Sequence, residues 1–322
     1  MRKLFLLAAV GFLFVAAAWL IDAYFRSDDI KSVADLEAAY LTEDDRFVAI
    51  DGARVRVREQ GPSDGDPVIL LHGFAYSLES WDAWAADLAQ SHRVIRYDLL
   101  GHGLTGPDPK QRYAPQERAV FIGDVMDALE IDRAIIVGNS LGGLAAWRFA
   151  AIAPERAEAL ILLAPAAFPY NGVGDDPAPV PAMMRVYLNS APEAAVRAST
   201  ELVYGDDEKV TDARVTTLRD MMRRDGNGAA MLQSLEEFTL PDPTQDLLRV
   251  TAPTQLIWGS EDAIVPLSTG ERMNAIMPRA MLKTLDGVGH APQEEAPQRT
   301  LSVAREFLTA VAAAPAAGQS TQ

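Results

Sequence analysis

Apolar and polar positions change rhythm several times along the chain, and each change predicts an element. Val68 to Leu71, Val94 to Leu99, Ala134 to Val137, Leu160 to Leu163, Gln255 to Trp258 and Met281 to Leu285 are short, mostly apolar runs. Such runs predict strands buried on both faces. Between and after them, residues 79–90, 115–130, 144–152, 266–277 and 297–313 place apolar side chains at helical spacing. Phe47 to Ile50 and Ala53 to Glu59 flank Asp51-Gly52, which predicts a hairpin closed by a two-residue turn. Strands alternating with helices predict a mostly parallel sheet with helices on both faces.

From Phe168 to Gln245 that alternation stops. Helical stretches near 181–190, 192–203, 211–224 and 228–237 follow one another with no strand between them. The segment 168–245 is therefore expected to be a helical cap, inserted after the sixth strand of a core formed by 46–167 and 246–313. Residues 26–45 are polar, with a helical pattern from Ser32 to Tyr40, and are expected to form a stalk. The small, polar tail 314–322 is expected to be disordered.

The start of the chain differs in kind. Arg2 and Lys3 precede an uncharged run from Leu4 to Ile21, which Asp22 ends. As a helix this run rises roughly 27 Å, close to the thickness of a bilayer's hydrocarbon core. Trp19, Tyr24 and Phe25 stand where interfacial aromatics belong. Residues 1–25 are expected to anchor the chain in a membrane with the rest of the chain exported, on the periplasmic or extracellular side. Ala16-Ala17-Ala18 keeps open a cleaved signal segment and a secreted body.

Composition narrows the function. The 322 residues are 49% hydrophobic and 23% charged, a globular composition with enough chain for a sizeable core, in one large domain with an insertion or in two of ordinary size. The net charge of −16 repels phosphate backbones and argues against a nucleic-acid partner. The absence of cysteine excludes disulfides, thiol nucleophiles and cysteine-ligated metals.

The strongest local signal is Gly138-Asn139-Ser140-Leu141-Gly142-Gly143, a G-x-S-x-G between an apolar strand and a helix. A sharp strand-to-helix turn lifts the serine hydroxyl clear of the sheet's C-terminal edge, and glycines beside it avoid clashes. The N–H of Leu141, at the helix entry, is placed to stabilise an oxyanion. A serine needs a base. Of the four histidines, His92 lies at the wrong edge of the sheet, while His72 and His102 sit in loops that they are expected to shape. His290, in Gly287-Val288-Gly289-His290-Ala291-Pro292, follows the last strand at the same edge as Ser140. The acid that orients such a histidine is expected at Asp262, in the loop after Leu256-Ile257-Trp258; Glu261 and Asp286 are its rivals.

Ser140, Asp262 and His290 stand in the chain order Ser…Asp…His, and on these motifs the chain resembles the α/β-hydrolase family over residues 47–313, including its monoacylglycerol lipases. The resemblance implies an eight-stranded, mostly parallel sheet, a serine esterase or lipase activity, and no cofactor or metal. His72-Gly73-Phe74 resembles the family's oxyanion loop, which implies that the Phe74 N–H pairs with that of Leu141. Tyr97 to Gly103 resembles its structural turn after the fourth strand. Position 140 is serine, which disfavours the epoxide hydrolases and haloalkane dehalogenases, whose nucleophile is aspartate. Members that cleave carbon–carbon bonds tend to carry tryptophan after the catalytic histidine, where this chain has Ala291. Cap residues Met183, Met184 and Tyr187 are expected to meet a small-molecule or lipid ester, since flexible apolar side chains suit an acyl chain. A carbon–carbon hydrolase of dienones, an acyltransferase and a ligand receptor on the same scaffold remain the alternatives.

Overall fold

The computed structural model describes residues 30–313. Helix α1 (Val33–Tyr40) leads into the hairpin of β1 (Asp45–Ile50) and β2 (Ala53–Gln60). Asp51 and Gly52 both take positive φ (46° and 90°), as a two-residue hairpin turn requires, and Ile50 pairs with Ala53 across it. Then come β3 (Pro67–Leu71), α2 (Asp82–Leu88), β4 (Arg93–Tyr97), α3 (Pro115–Ala128), β5 (Ala134–Asn139), α4 (Ser140–Ile152) and β6 (Ala157–Leu163). The eight strands form one sheet in the order β1-β2-β4-β3-β5-β6-β7-β8, with β7 (Thr254–Gly259) and β8 (Ala280–Leu285) completing it. Only β2 runs against its neighbours; every pairing from β4 to β8 is parallel.

β3, β5, β6 and β7 are buried along nearly their whole length, which explains why they read as continuous apolar runs. Two apolar clusters flank the sheet. One packs Ile69, Ile136, Leu160 and Leu256 against α3 and α4. The other packs Val68, Val137, Ile161 and Ile257 against α2 and the C-terminal helix. Strand order reverses beside β3, so the C-terminal ends of β3, β5, β6 and β7 open a crevice of the kind in which sheets of this class hold ligands.

The insertion falls after β6, as expected. It carries α5 (Ala182–Ser190), α6 (Glu193–Val203), α7 (Asp212–Arg223), α8 (Asn227–Glu236) and the short α9 (Thr244–Leu247). The first four match the helical stretches expected from the sequence within a residue or two. Helix α10 (Leu267–Ile276) lies between β7 and β8, and α11 (Pro292–Glu295) and α12 (Pro297–Ala313) end the described chain.

Over residues 30–45 the stalk expectation is corrected. Ser32 caps α1 by accepting the Asp35 N–H, and Leu36 is buried with Leu104 of the core and Met221 of the cap. The Tyr40 hydroxyl donates to Asp220 at 2.9 Å and the Lys31 N–H to the Arg223 carbonyl at 2.8 Å. Leu36 and Tyr40 lie one turn apart on one side of the helix, and together with Leu41 just past its end they make the apolar contact that docks it. The expected anchor 1–25 and the tail 314–322 lie outside the described residues. Among the described residues, no helix is long and apolar enough to cross a membrane.

Candidate active site

Ser140 follows directly on β5 and begins α4 with φ at +53°, a left-handed conformation that a non-glycine residue adopts only where its surroundings hold it there. The neighbouring glycines show what holds it. A Cβ on Gly138 would stand 2.6 Å from the Gly142 backbone, and one on Gly142 would stand 2.4 Å from the Leu71 carbonyl and 2.5 Å from that of His72. The turn is therefore wedged against the end of β3. Leu141 is in the first turn of α4, where amides lack intrahelical acceptors. Its N–H and that of Phe74 donate to no acceptor among the described residues, and Gly73 and Phe74 line the same cavity as Ser140.

His290 reaches this cavity from the loop after β8. Its Nδ1 lies 2.8 Å from Asp262 Oδ2, and the Asp262 carboxylate is 1% exposed. Asp262 Oδ1 accepts the amides of Ile264 at 2.8 Å and Val265 at 2.9 Å, which fixes the carboxylate's rotamer. That geometry sets Nδ1 to donate to the acid and turns Nε2 away from it. The rivals point elsewhere: Glu261 and Asp286 meet the Ser260 hydroxyl at the exposed surface. No hydrogen bond joins Ser140 to the His290 ring, although both line one cavity; in unliganded sites such bonds are often long.

Two of the other histidines, His72 and His102, are structural, and His92 sits at the surface beside the Ser91 hydroxyl. His72 is fully buried, donates from Nδ1 to the Gly73 carbonyl and accepts the Leu99 N–H on Nε2, so it ties two loops together as a neutral ring. Burial pushes its pKa down to about 4. His102 is likewise kept neutral by burial, with Arg118 nearby adding to the effect, and its Nδ1 meets the Leu100 carbonyl.

Above Ser140 and His290 lies a cavity of about 320 Å³, roofed by the cap. Its walls include Phe74, Tyr76, Val196, Leu218, Met222, Leu235 and Ile264, and Met184 and Tyr187 also line it. Met183 is corrected: it is 77% exposed and outside the lining, because it stands one residue from Met184 and so on a different face of α5. Of the remaining cap methionines, Met222 lines the cavity, whereas Met221 packs on Leu36 and Met231 within the cap. No arginine or lysine is in the lining. Among the described residues, no three His, Asp or Glu side chains converge as ligands for a metal.

Sequence reasoning missed the residues that hold the histidine loop. Asn139 Nδ2 donates to the carbonyls of His290 and Leu163, both at 3.0 Å, and its Oδ1 accepts from the fully buried Gln293. The signal was an asparagine ending an otherwise apolar strand. Glu294 and Glu295 carried no distinguishing signal in the sequence beyond being adjacent acids.

This fold and this placement of residues define a hydrolase-type enzyme scaffold. The alpha/beta hydrolase fold family matches residues 66–297, and the chain belongs to it. Among curated proteins it is similar to an uncharacterized protein of Mycobacterium tuberculosis, 27% identical over 88% of this chain and 85% of that one. It is also similar to the 2-hydroxy-6-oxononadienedioate/2-hydroxy-6-oxononatrienedioate hydrolase of Cupriavidus pinatubonensis, 28% identical over 81% of this chain and 94% of that one. Among solved structures, a bacterial membrane phospholipase A superposes with a TM-score of 0.71 over 98% of this chain and 100% of that one, at 23% identity, a likeness of fold.

Proposed function

We propose that the protein is a serine carboxylic-ester hydrolase that works through an acyl-enzyme on lipid-like or medium-chain esters such as monoacylglycerols. One observation carries the reading: Ser140 and an Asp262-oriented His290 open together on a single apolar cavity. In this reading His290 Nε2 takes the proton of Ser140 as its Oγ attacks the ester carbonyl. The amides of Phe74 and Leu141 hold the oxyanion, each contributing about 3 kcal/mol in comparable sites. His290 then protonates the leaving alcohol, and water repeats the sequence on the acyl-enzyme.

The carbon–carbon hydrolase reading draws on the similarity to the Cupriavidus pinatubonensis enzyme. Against it stand Ala291 after the histidine and the chemistry of the lining. That relative's substrates are dioates, and a cavity without arginine or lysine has no cation to hold a carboxylate. An uncharged acyl chain needs none.

A panel of p-nitrophenyl esters from acetyl to palmitoyl, with monoacylglycerols and a 2-hydroxy-6-oxo-dienoate, tests the proposal. The expected result is turnover that peaks at intermediate or long acyl chains and vanishes in Ser140→Ala. Turnover of acetyl esters alone removes the lipid reading; turnover of the dienoate alone removes the ester reading. Attachment through residues 1–25 with the body outside the cytoplasm belongs to the same proposal. Protease accessibility of the body in intact cells or spheroplasts is its check.

A further inference from the structure

The loop that carries His290 is clamped from two sides. From the core, Asn139 holds its carbonyl. From the cap, the Val203 carbonyl accepts the His290 N–H at 2.7 Å. The one-turn helix that follows, α11, then extends two adjacent carboxylates toward the cap. Glu295 accepts the N–H of Gly289 at 2.6 Å and that of Gly205 at 3.1 Å, and Gly205 belongs to the cap. Close approach is obligatory here, since a Cβ on Gly289 would stand 2.4 Å from both the Gly205 nitrogen and the Val203 carbonyl oxygen.

Glu294 accepts the Tyr204 hydroxyl at 2.8 Å and the Arg214 guanidinium at 2.5 Å. Both partners come from the cap, and the side chains of Arg214 and Glu294 are only 12% and 10% exposed. The same guanidinium lies 4.6 Å over the ring of Tyr76, two residues beyond Phe74 in the oxyanion loop. Arg214 therefore touches both halves of the reacting machinery's support, the histidine side and the oxyanion side, while lining no part of the cavity itself. An ion pair so deeply buried is poor at stabilising a fold, because desolvation offsets its attraction. What it supplies is geometry, since a planar guanidinium fixes direction as well as distance.

We propose that Arg214 is a positioning residue: paired with Glu294 and stacked on Tyr76, it makes the alignment of His290 and the oxyanion loop depend on the cap being seated. The site is complete only with the cap closed over its substrate. This rests on the reading of Ser140, Asp262 and His290 as the reacting groups.

The test compares Arg214→Met, Arg214→Lys and the double variant Arg214→Met/Glu294→Gln with the full-length protein. Arg185→Met, at an exposed pair with Glu236, is the control. Each is assayed for kcat and KM on a short activated ester, for the rate of Ser140 labelling by a fluorophosphonate, and for Tm. The expected result for Arg214→Met is a kcat and labelling rate at least tenfold lower, with KM within threefold; its Tm falls because Glu294 is left buried without a partner, and the double variant recovers most of that fall. Lysine, which restores the charge but not the flat stack, recovers part of the rate.

Should the single variant fail to fold, the double variant, which leaves no buried charge unpaired, is expected to fold and show the same loss. A folded Arg214→Met or double variant with wild-type kcat and labelling overturns the proposal. So does a loss confined to KM. A wild-type protein that takes the probe but cleaves no ester refutes only the ester reading, and the labelling rates still decide this one. A wild-type protein that does neither refutes both.

Discussion

Replacing Asp262 with asparagine separates chemistry from folding. Asp262 Oδ1 accepts two backbone amides and Oδ2 faces the His290 Nδ1. An asparagine keeps its carbonyl oxygen on the two amides, because the reverse orientation sets donors against donors. Its NH2 then faces Nδ1, which must become an acceptor, and the ring proton moves to Nε2. That nitrogen can no longer take a proton from Ser140. In comparable triads this wrong tautomer lowers kcat by about 10⁴, or about 5.5 kcal/mol in barrier height. Folding loses much less. Two of the three hydrogen bonds survive and the third becomes a neutral N–H···N bond, so the cost is at most about 1–3 kcal/mol, a few degrees in Tm. Steady-state kinetics on a p-nitrophenyl ester, with thermal melts of the same samples, provide the assay. A folded Asp262→Asn with kcat within tenfold of wild type refutes the assignment of Asp262 as the orienting acid.

Other consequences are as direct. Gly142→Ala forces a Cβ against two backbone carbonyls, so activity is expected to fall more than tenfold with a measurable drop in Tm; unchanged kinetics contradict the wedge at the turn. Met222→Ala enlarges the cavity and is expected to shift the preferred acyl chain to a longer or bulkier one, read from the ester panel; an unshifted profile places the chain elsewhere. Leu36→Ala removes a buried contact shared with Leu104 and Met221 and is expected to cost about 2–4 kcal/mol by denaturant titration. A cost near zero means that α1 does not dock. Because burial lowers the His72 pKa to about 4, the unfolded chain takes up this proton first as pH falls below 6.5. Stability is therefore expected to decline from pH 6.5 toward 4, and His72→Gln, which cannot be protonated, to weaken that slope in Tm-versus-pH melts.

The parts of the fold that depend on local pattern were readable in advance. Doubly buried strands such as β3 and β5 announce themselves as apolar runs, and Asp51-Gly52 dictates its own turn. The cap helices stand out by periodicity, and the G-x-S-x-G turn by its glycines. What the pattern does not carry is the packing of one segment on another. Residues 30–45 look polar, yet Leu36 and Tyr40 suffice to dock them on Leu104, Met221 and Asp220. Met183 and Met184 are equivalent in composition, and only the helix's rotation sends one to the cavity and the other to solvent. Arg214 and Glu294 are 80 residues apart and look like ordinary surface charges until the cap closes on α11.

Covalent labelling is the most direct test of the central claim that Ser140 is a nucleophile activated by His290. The protein is treated with a fluorophosphonate, digested, and the modified peptide sequenced by mass spectrometry. The account predicts a single adduct on Ser140, absent in Ser140→Ala and strongly slowed in His290→Ala. An adduct on another residue, or ester hydrolysis undiminished in Ser140→Ala, contradicts it.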